Sequence, residues 1–158
     1  MKKYEFTGET KRVELWNRTA TLHRIKATVE FGFVKVGELG GWIEKEENLS
    51  HEGKAWVCGD AEVWGNAKVC GDAEVCGDAE VFLASHVLVM GSVGSRNDFT
   101  TFFRDKDNEI TVKCGCFLGK IDKFLEKVTQ THGNNKYALV YRAAVEVAKL
   151  QIELTERK

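Results

Sequence analysis

The residues best suited to chemistry lie in one short stretch, Gly94-Ser95-Arg96-Asn97-Asp98, followed by Thr100, Thr101 and Arg104. Glycine and serine in a turn expose main-chain N–H groups, and an arginine beside them completes a small concavity for an anion. Thr100 adds a hydroxyl, while Phe99, Phe102 and Phe103 offer flat faces for stacking a base. Ser95, Arg96, Asn97, Thr100, Thr101 and Arg104 are therefore the candidate ligand-binding residues. A phosphate-bearing or nucleotide-like ligand suits their composition. The competing reading is a plain polar junction in which Arg96 bridges to a carboxylate. Tyr137, Tyr141 and Arg142 could join the cluster, although their helical spacing is explained first by packing.

Other chemistry is thinner. The histidines are His23, His51, His86 and His132, too scattered to converge on a metal. Cys114-Gly115-Cys116 puts two thiols on one face of a strand, but a structural zinc needs four ligands. The cysteines are read as small buried hydrophobes, so neither a metal nor a cofactor is expected. Asp60, Asp72 and Asp78 follow glycines and read as corner residues that bond their own turns.

A six-residue rhythm must position these groups. Valine recurs at Val57, Val63, Val69, Val75, Val81, Val87 and Val93, with a small residue two places earlier at Ala55, Ala61, Ala67, Ala73, Ala79, Ser85 and Gly91. Gly53, Gly59, Gly65, Gly71 and Gly77 keep the same step. A period of six matches neither a helix nor simple alternation; it predicts a parallel β-helix of stacked hexapeptides. Residues eighteen apart then stack, Trp64 over Phe82, Cys58 over Cys76 and Glu62 over Glu80. His86 shares the outward slot of Glu62, Lys68, Glu74 and Glu80, where a solvated surface role is expected. Trp56, Trp64 and Phe82 are read as outward aromatics that form an oligomer interface.

Three parts follow: 1–52, an N-terminal β cap and first coils; 53–94, the hexapeptide repeat; and 95–158, a ββαα module. In the first, Thr19–Lys26 and Phe31–Val36 read as β segments, and the double glycine before Trp42 forces a turn. In the last, 99–104 and 109–117 read as a hairpin around Asp105–Asn108. Helical spacing follows from Ile121 to His132-Gly133, and again after Asn134-Asn135. The fold class expected is mainly β: a short left-handed parallel β-helix with a C-terminal β-hairpin and two α-helices.

The repeat resembles the hexapeptide-repeat superfamily of left-handed β-helices, in which an aliphatic residue precedes a small one by four places. Val57 with Ala61, Val63 with Ala67, Val69 with Ala73 and Val75 with Ala79 carry the likeness. The family's glycine directly after the aliphatic residue is replaced here by Cys58, Trp64, Cys70, Cys76 and Phe82, with glycine one step later. That variant, with Gly37-Glu38-Leu39-Gly40-Gly41-Trp42-Ile43-Glu44 and the tail Val93–Phe103, is similar to small proteins encoded by bacteriophages and prophages. This resemblance implies a non-enzymatic binding protein for host-directed counter-defence, sequestering a nucleotide signal or masking a host protein. The superfamily also implies a second class, an acyl-CoA-dependent transferase with His86 or His132 as base. A purely structural oligomer is the third.

Composition limits the partners. The chain has 158 residues and a formal charge of -1, so no global basic field draws it to nucleic acid. No apolar run approaches the ~20 residues of a membrane span. Met1-Lys2-Lys3-Tyr4-Glu5-Phe6 has no apolar segment behind its lysines, and five cysteines suit a reducing compartment. The expected setting is the cytoplasm, host cytoplasm for a phage protein, and the expected state a homo-oligomer, dimer or trimer.

Overall fold

Antiparallel pairing of consecutive strands dominates the N-terminal part, where the six-residue rhythm is absent. The computed structural model describes residues 2–15 and 17–154; positions 1, 16 and 155–158, which the three-part division takes in, lie outside the described residues. Strand β1 (Tyr4–Glu14) runs antiparallel to β2 (Thr19–Ala27), with an irregularity between Phe6 and Thr10. Ala20, Leu22, Ile25 and Ala27 of β2 are buried while exposed or half-buried residues separate them, the pattern of a sheet with one wet face. Phe31–Val36 is a tight turn closed by a Phe31–Val34 bridge rather than a strand.

Strand β3 (Leu39–Ile43) joins β2 antiparallel on one side and the repeat on the other. Its glycines permit that approach. A Cβ on Gly40 would lie 2.7 Å from Ile25 Cγ1, Trp56 Cζ2 and the Val57 carbonyl. The repeat itself contributes strands of only two residues: β4 (Trp56–Val57), β5 (Glu62–Val63), β6 (Glu74–Val75) and β7 (Glu80–Val81). β4 pairs with β6 and β5 with β7, both parallel and both across eighteen residues. The corners need glycine: Gly65 sits at φ 60°, and a Cβ there would lie 2.7 Å from the Phe82 carbonyl. Val57, Val63, Val69, Val75 and Val81 have no exposed surface and form the central core with Tyr4, Ile25, Ile43, Leu49 and Phe103. Each such valine contributes roughly 1.5–3 kcal/mol relative to exposure.

After Phe82 the parallel pairing stops. Val87–Val93, β8, lies at the edge of an antiparallel sheet with β9 (Asp98–Arg104), β10 (Ile110–Cys114) and β11 (Phe117–Lys120), in the order β11-β10-β9-β8. Gly115, at φ 57°, breaks the expected single strand 109–117 into β10 and β11. Helices α1 (Ile121–His132) and α2 (Lys136–Gln151) stand where their spacing predicts, and the Asn135 side chain caps α2 by accepting from Ala138 N at 3.1 Å. Phe102 of β9 faces a second core with Phe124, Val128, Tyr141 and Val145, whereas Phe103 faces the repeat.

The left-handed parallel β-helix expected from the period is thereby corrected. The chain is mixed α/β, and its described strands form a five-stranded mixed sheet (β1-β2-β3-β5-β7), a four-stranded antiparallel sheet and a two-stranded parallel one. The rhythm fixes which side chains turn inward and where the corners fall. It leaves open what the flanking segments pair with: β3 runs parallel to β5, while β1 with β2, β2 with β3 and the strands from β8 to β11 pair antiparallel.

Candidate functional site

The turn between β8 and β9 is built by the local sequence. Val93 pairs with Asp98, so residues 94–97 reverse the chain. Gly94 (φ 79°) and Asn97 (φ 48°) take left-handed backbone, and Asn97 N donates to the Gly94 carbonyl at 3.3 Å. Ser92 Oγ donates to the Asn97 carbonyl at 2.6 Å, bracing the turn. Ser95, Arg96 and Asn97 are all exposed at its tip. Arg96 forms no ion pair among the described residues.

Beneath the tip lies a small polar cluster. The Tyr141 hydroxyl packs against Gly94 so closely that a Cβ there would overlap it. Tyr141 lies close enough to Cys114 to feel its charge, and Thr100 Oγ1 donates to Cys114 Sγ at 3.3 Å. Burial raises the Tyr141 pKa, as do Cys114 and Asp98, while the nearby Arg96 charge opposes them. The fold thus brings Ser95, Arg96, Asn97 and Thr100 to one end of the sheet and adds Tyr141 from α2.

It separates the other two candidates. Thr101 points to the opposite face of β9, buried, where its Oγ1 accepts from Glu74 N at 3.0 Å. Arg104 lies four residues down the strand from Thr100, about 13 Å at ~3.3 Å per residue. There it donates to the Glu80 carbonyl at 2.8 Å and Asn108 Oδ1 at 3.1 Å, and it covers the Phe82 ring. Both residues clamp the sheet to the repeat. Alternation of side chains along a strand makes this separation necessary for Thr100 and Thr101.

Three other expectations change. Trp56 and Trp64 are 3% and 5% exposed, not outward. Phe31 and Gly40 cover the first, and Leu22, Trp42 and Phe82 cover the second, so the N-terminal sheet occupies the face read as an interface. Phe82 is itself only half-buried and stacks on Trp64. Cys58 and Cys76, read as plain hydrophobes, are joined by a disulfide.

His86 is fully buried rather than solvated. The short 3-10 helix Ala84–His86 turns its ring inward, where Nδ1 accepts from Phe82 N at 3.1 Å and Leu83 N at 3.2 Å. Asn48 does the same work in the 3-10 helix Glu46–Asn48, accepting from Lys45 N at 3.0 Å. Burial, and then the Arg104 charge, lower the His86 pKa to about 4, against a smaller opposing contribution from the Glu153 backbone. A histidine depressed from 6.5 to about 4 stabilises the fold fully above pH 6.5 and loses that contribution as pH falls through 4. Up to about 3 kcal/mol should disappear across that window. Urea unfolding at several pH values should show this slope in the native chain and lack it in His86→Gln. His132, the other candidate base, lies at the end of α1 with its ring near those of Tyr137 and Tyr141.

Sequence reading missed one polar centre. Asp105, buried, accepts from Thr111 Oγ1 (2.7 Å), Asp107 N (2.9 Å), Lys120 Nζ (3.0 Å) and Glu109 N (3.1 Å). Lys120 also reaches Asp107 at 2.9 Å and Glu109 at 2.8 Å. Burial alone would raise the Asp105 pKa; the hydrogen bonds from Thr111, Lys120 and the two N–H groups outweigh it and hold the carboxyl below its usual value. The signal was the Asp-x-Asp-x-Glu spacing of the hairpin loop, which was read only as a turn.

Two shallow depressions stand out among the described residues. One, of about 280 Å³, is lined by Lys45, Glu47, Asn48, Asn66 and Lys68 among others. The other, of about 130 Å³, is acidic and bordered by Asp60, Glu62, Asp78, Glu80 and Lys106. Neither includes a residue of the β8–β9 turn. No described helix is long and apolar enough to cross a membrane. No protein-family model matches the chain, and comparison with curated proteins finds no significant match.

Proposed function

We propose that this chain is a non-enzymatic binding protein of phage or prophage type that takes a phosphate-bearing group at the β8–β9 turn. One observation carries the reading. Arg96 stands exposed and without an ion pair among the described residues, between two left-handed residues that hold Ser95 and Asn97 beside it. Tyr141 packs under the turn at Gly94, and Thr100 hydrogen-bonds Cys114 nearby. An exposed tip suits a phosphate presented by a larger molecule better than an enclosed metabolite, because small-ligand sites bury most of their ligand. His86 supports a binder over a transferase, since its Nδ1 is taken by two backbone N–H groups.

The test is calorimetric titration with inorganic pyrophosphate and with adenosine diphosphate. Binding should be saturable and weakened by salt, and Arg96→Ala should reduce it at least about tenfold, the loss of one charge-assisted contact. Equal binding by Arg96→Ala would sink the assignment. A second reading, a host-protein partner, is favoured by the turn after Phe31, where Phe33 is 96% exposed. Phe33→Ser should leave pyrophosphate binding unchanged.

A further inference from the structure

Two thiols stand side by side in sequence at the turn between β10 and β11. Cys114 pairs with Phe117, so Gly115 and Cys116 alone reverse the chain. Gly115 takes left-handed backbone there, at φ 57°, and a Cβ on it would meet nothing within 4 Å. Cys116 is exposed on that open turn, whereas Cys114 is half-buried against the helical core. Thr100 Oγ1, on the neighbouring strand, donates to the Cys114 sulfur. Lys113 donates from Nζ to the Gly115 carbonyl, which sets an ammonium beside the peptide bond joining Gly115 to Cys116. An exposed thiol next to a cation is the setting in which cysteines react rather than pack.

We propose that Cys114 and Cys116 are a reversible redox pair, which a hydroperoxide closes into a disulfide. Two residues span at most about 7 Å when extended, and the turn shortens that into the roughly 4.4–6.8 Å between Cα atoms that a disulfide needs. In the first step the exposed Cys116 sulfur attacks the peroxide. An S–O bond forms as the O–O bond breaks, the alcohol leaves, and Cys116 becomes a sulfenic acid. In the second step the Cys114 sulfur attacks that sulfenic sulfur. Its proton leaves with the displaced hydroxide as water, and the S–S bond forms. The pair gives up two electrons and two hydrogens, which reduce the peroxide to alcohol and water. Closure turns the Cys114 sulfur from Thr100 toward Cys116, so the state of the pair is felt at Thr100 and at Tyr141 beside it. Cys70 is exposed too, but its nearest cysteine along the chain, Cys76, is already bonded to Cys58. It lacks a neighbouring thiol to close on.

The proposal is independent of the anion site. It is tested by titrating the full chain with hydrogen peroxide, blocking the remaining free thiols with iodoacetamide, and weighing the tryptic peptides. Cleavage after Lys113 and Lys120 releases 114–120, which carries both cysteines. That peptide should escape alkylation, weigh about 2 Da less than its dithiol form, and take up both labels once dithiothreitol is added. Cys70 should keep its label at the peroxide doses that close the pair. In Cys114→Ser, dimedone should trap Cys116 as the sulfenic acid; in Cys116→Ser, Cys114 should keep its label. Both cysteines of 114–120 still labelled, Cys70 oxidised first, a sulfinic acid at Cys116 in the native chain, or a disulfide joining two chains would overturn the proposal.

Discussion

Asp105→Ala should cost about 3–5 kcal/mol at neutral pH, the penalty for stripping one member from a buried charged network. Four donors aim at that carboxylate, and the substitution removes the acceptor they share. Lys120 keeps Asp107 and Glu109, which limits its own loss, but Thr111 Oγ1 and the two N–H groups have no substitute. A domain of this size has a total stability of ~5–15 kcal/mol, so the variant should be close to unfolding. Asp105→Asn keeps one acceptor oxygen and should lose about half as much. The pH dependence has a definite sign. Because the folded carboxyl titrates below its ordinary 3.8, its contribution is complete above that value and is lost as pH falls further. Urea unfolding curves should show a lower midpoint with an unchanged slope. A native-like midpoint for Asp105→Ala would show that the hairpin does not depend on this centre.

Gly40→Ala should cost about 3 kcal/mol, at the upper end of overpacking penalties. The added methyl meets Ile25, Trp56 and the Val57 carbonyl, each at 2.7 Å, and a carbonyl in a strand cannot swing aside. These three atoms belong to β2 and β4, so the clash separates the N-terminal sheet from the repeat. Gly8→Ala is the informative comparison. Gly8 has φ 95° but open space around it, so only backbone strain is added, about 1 kcal/mol. Thermal unfolding of the two variants should therefore differ by several degrees, with Gly40→Ala the lower. If Gly40→Ala melted with or above Gly8→Ala, the close seating of β3 on the repeat would be wrong.

What the sequence reveals about this fold divides along a physical line. The inward valines from Val57 to Val81, the small residues before them and the glycine corners are local consequences of a short repeat and occupy the places their period dictates, whereas Val87 and Val93, read as part of the same series, run in the antiparallel sheet. The two helices are equally local. The partner of each strand is not. Nothing in the alternating pattern of Tyr4–Glu14 announces an eleven-residue strand, and the cover it helps build over Trp64 depends on contacts far apart in sequence. His86 illustrates the same limit at one residue. Its slot holds the half-buried or exposed Glu62, Lys68, Glu74 and Glu80 in the preceding hexapeptides, yet a single 3-10 turn rotates His86 inward.

The candidate site was partly legible for the same reason. Ser95, Arg96 and Asn97 lie in a turn whose glycine and asparagine specify it locally. Thr101 and Arg104 were grouped with them by proximity in sequence, whereas strand alternation and strand length carry them to another face and another end. Tyr141, some forty residues on, joins only because α2 folds back onto β8 and β9.

The most direct test of the account is a two-dimensional proton–nitrogen NMR titration of the native protein with inorganic pyrophosphate. Shift changes confined to the amides of residues 94–97, with smaller ones at Thr100 and Tyr141, are the predicted result. Changes centred instead on Lys45 and Lys68, or none at all, would contradict the assignment of an anion site to the β8–β9 turn.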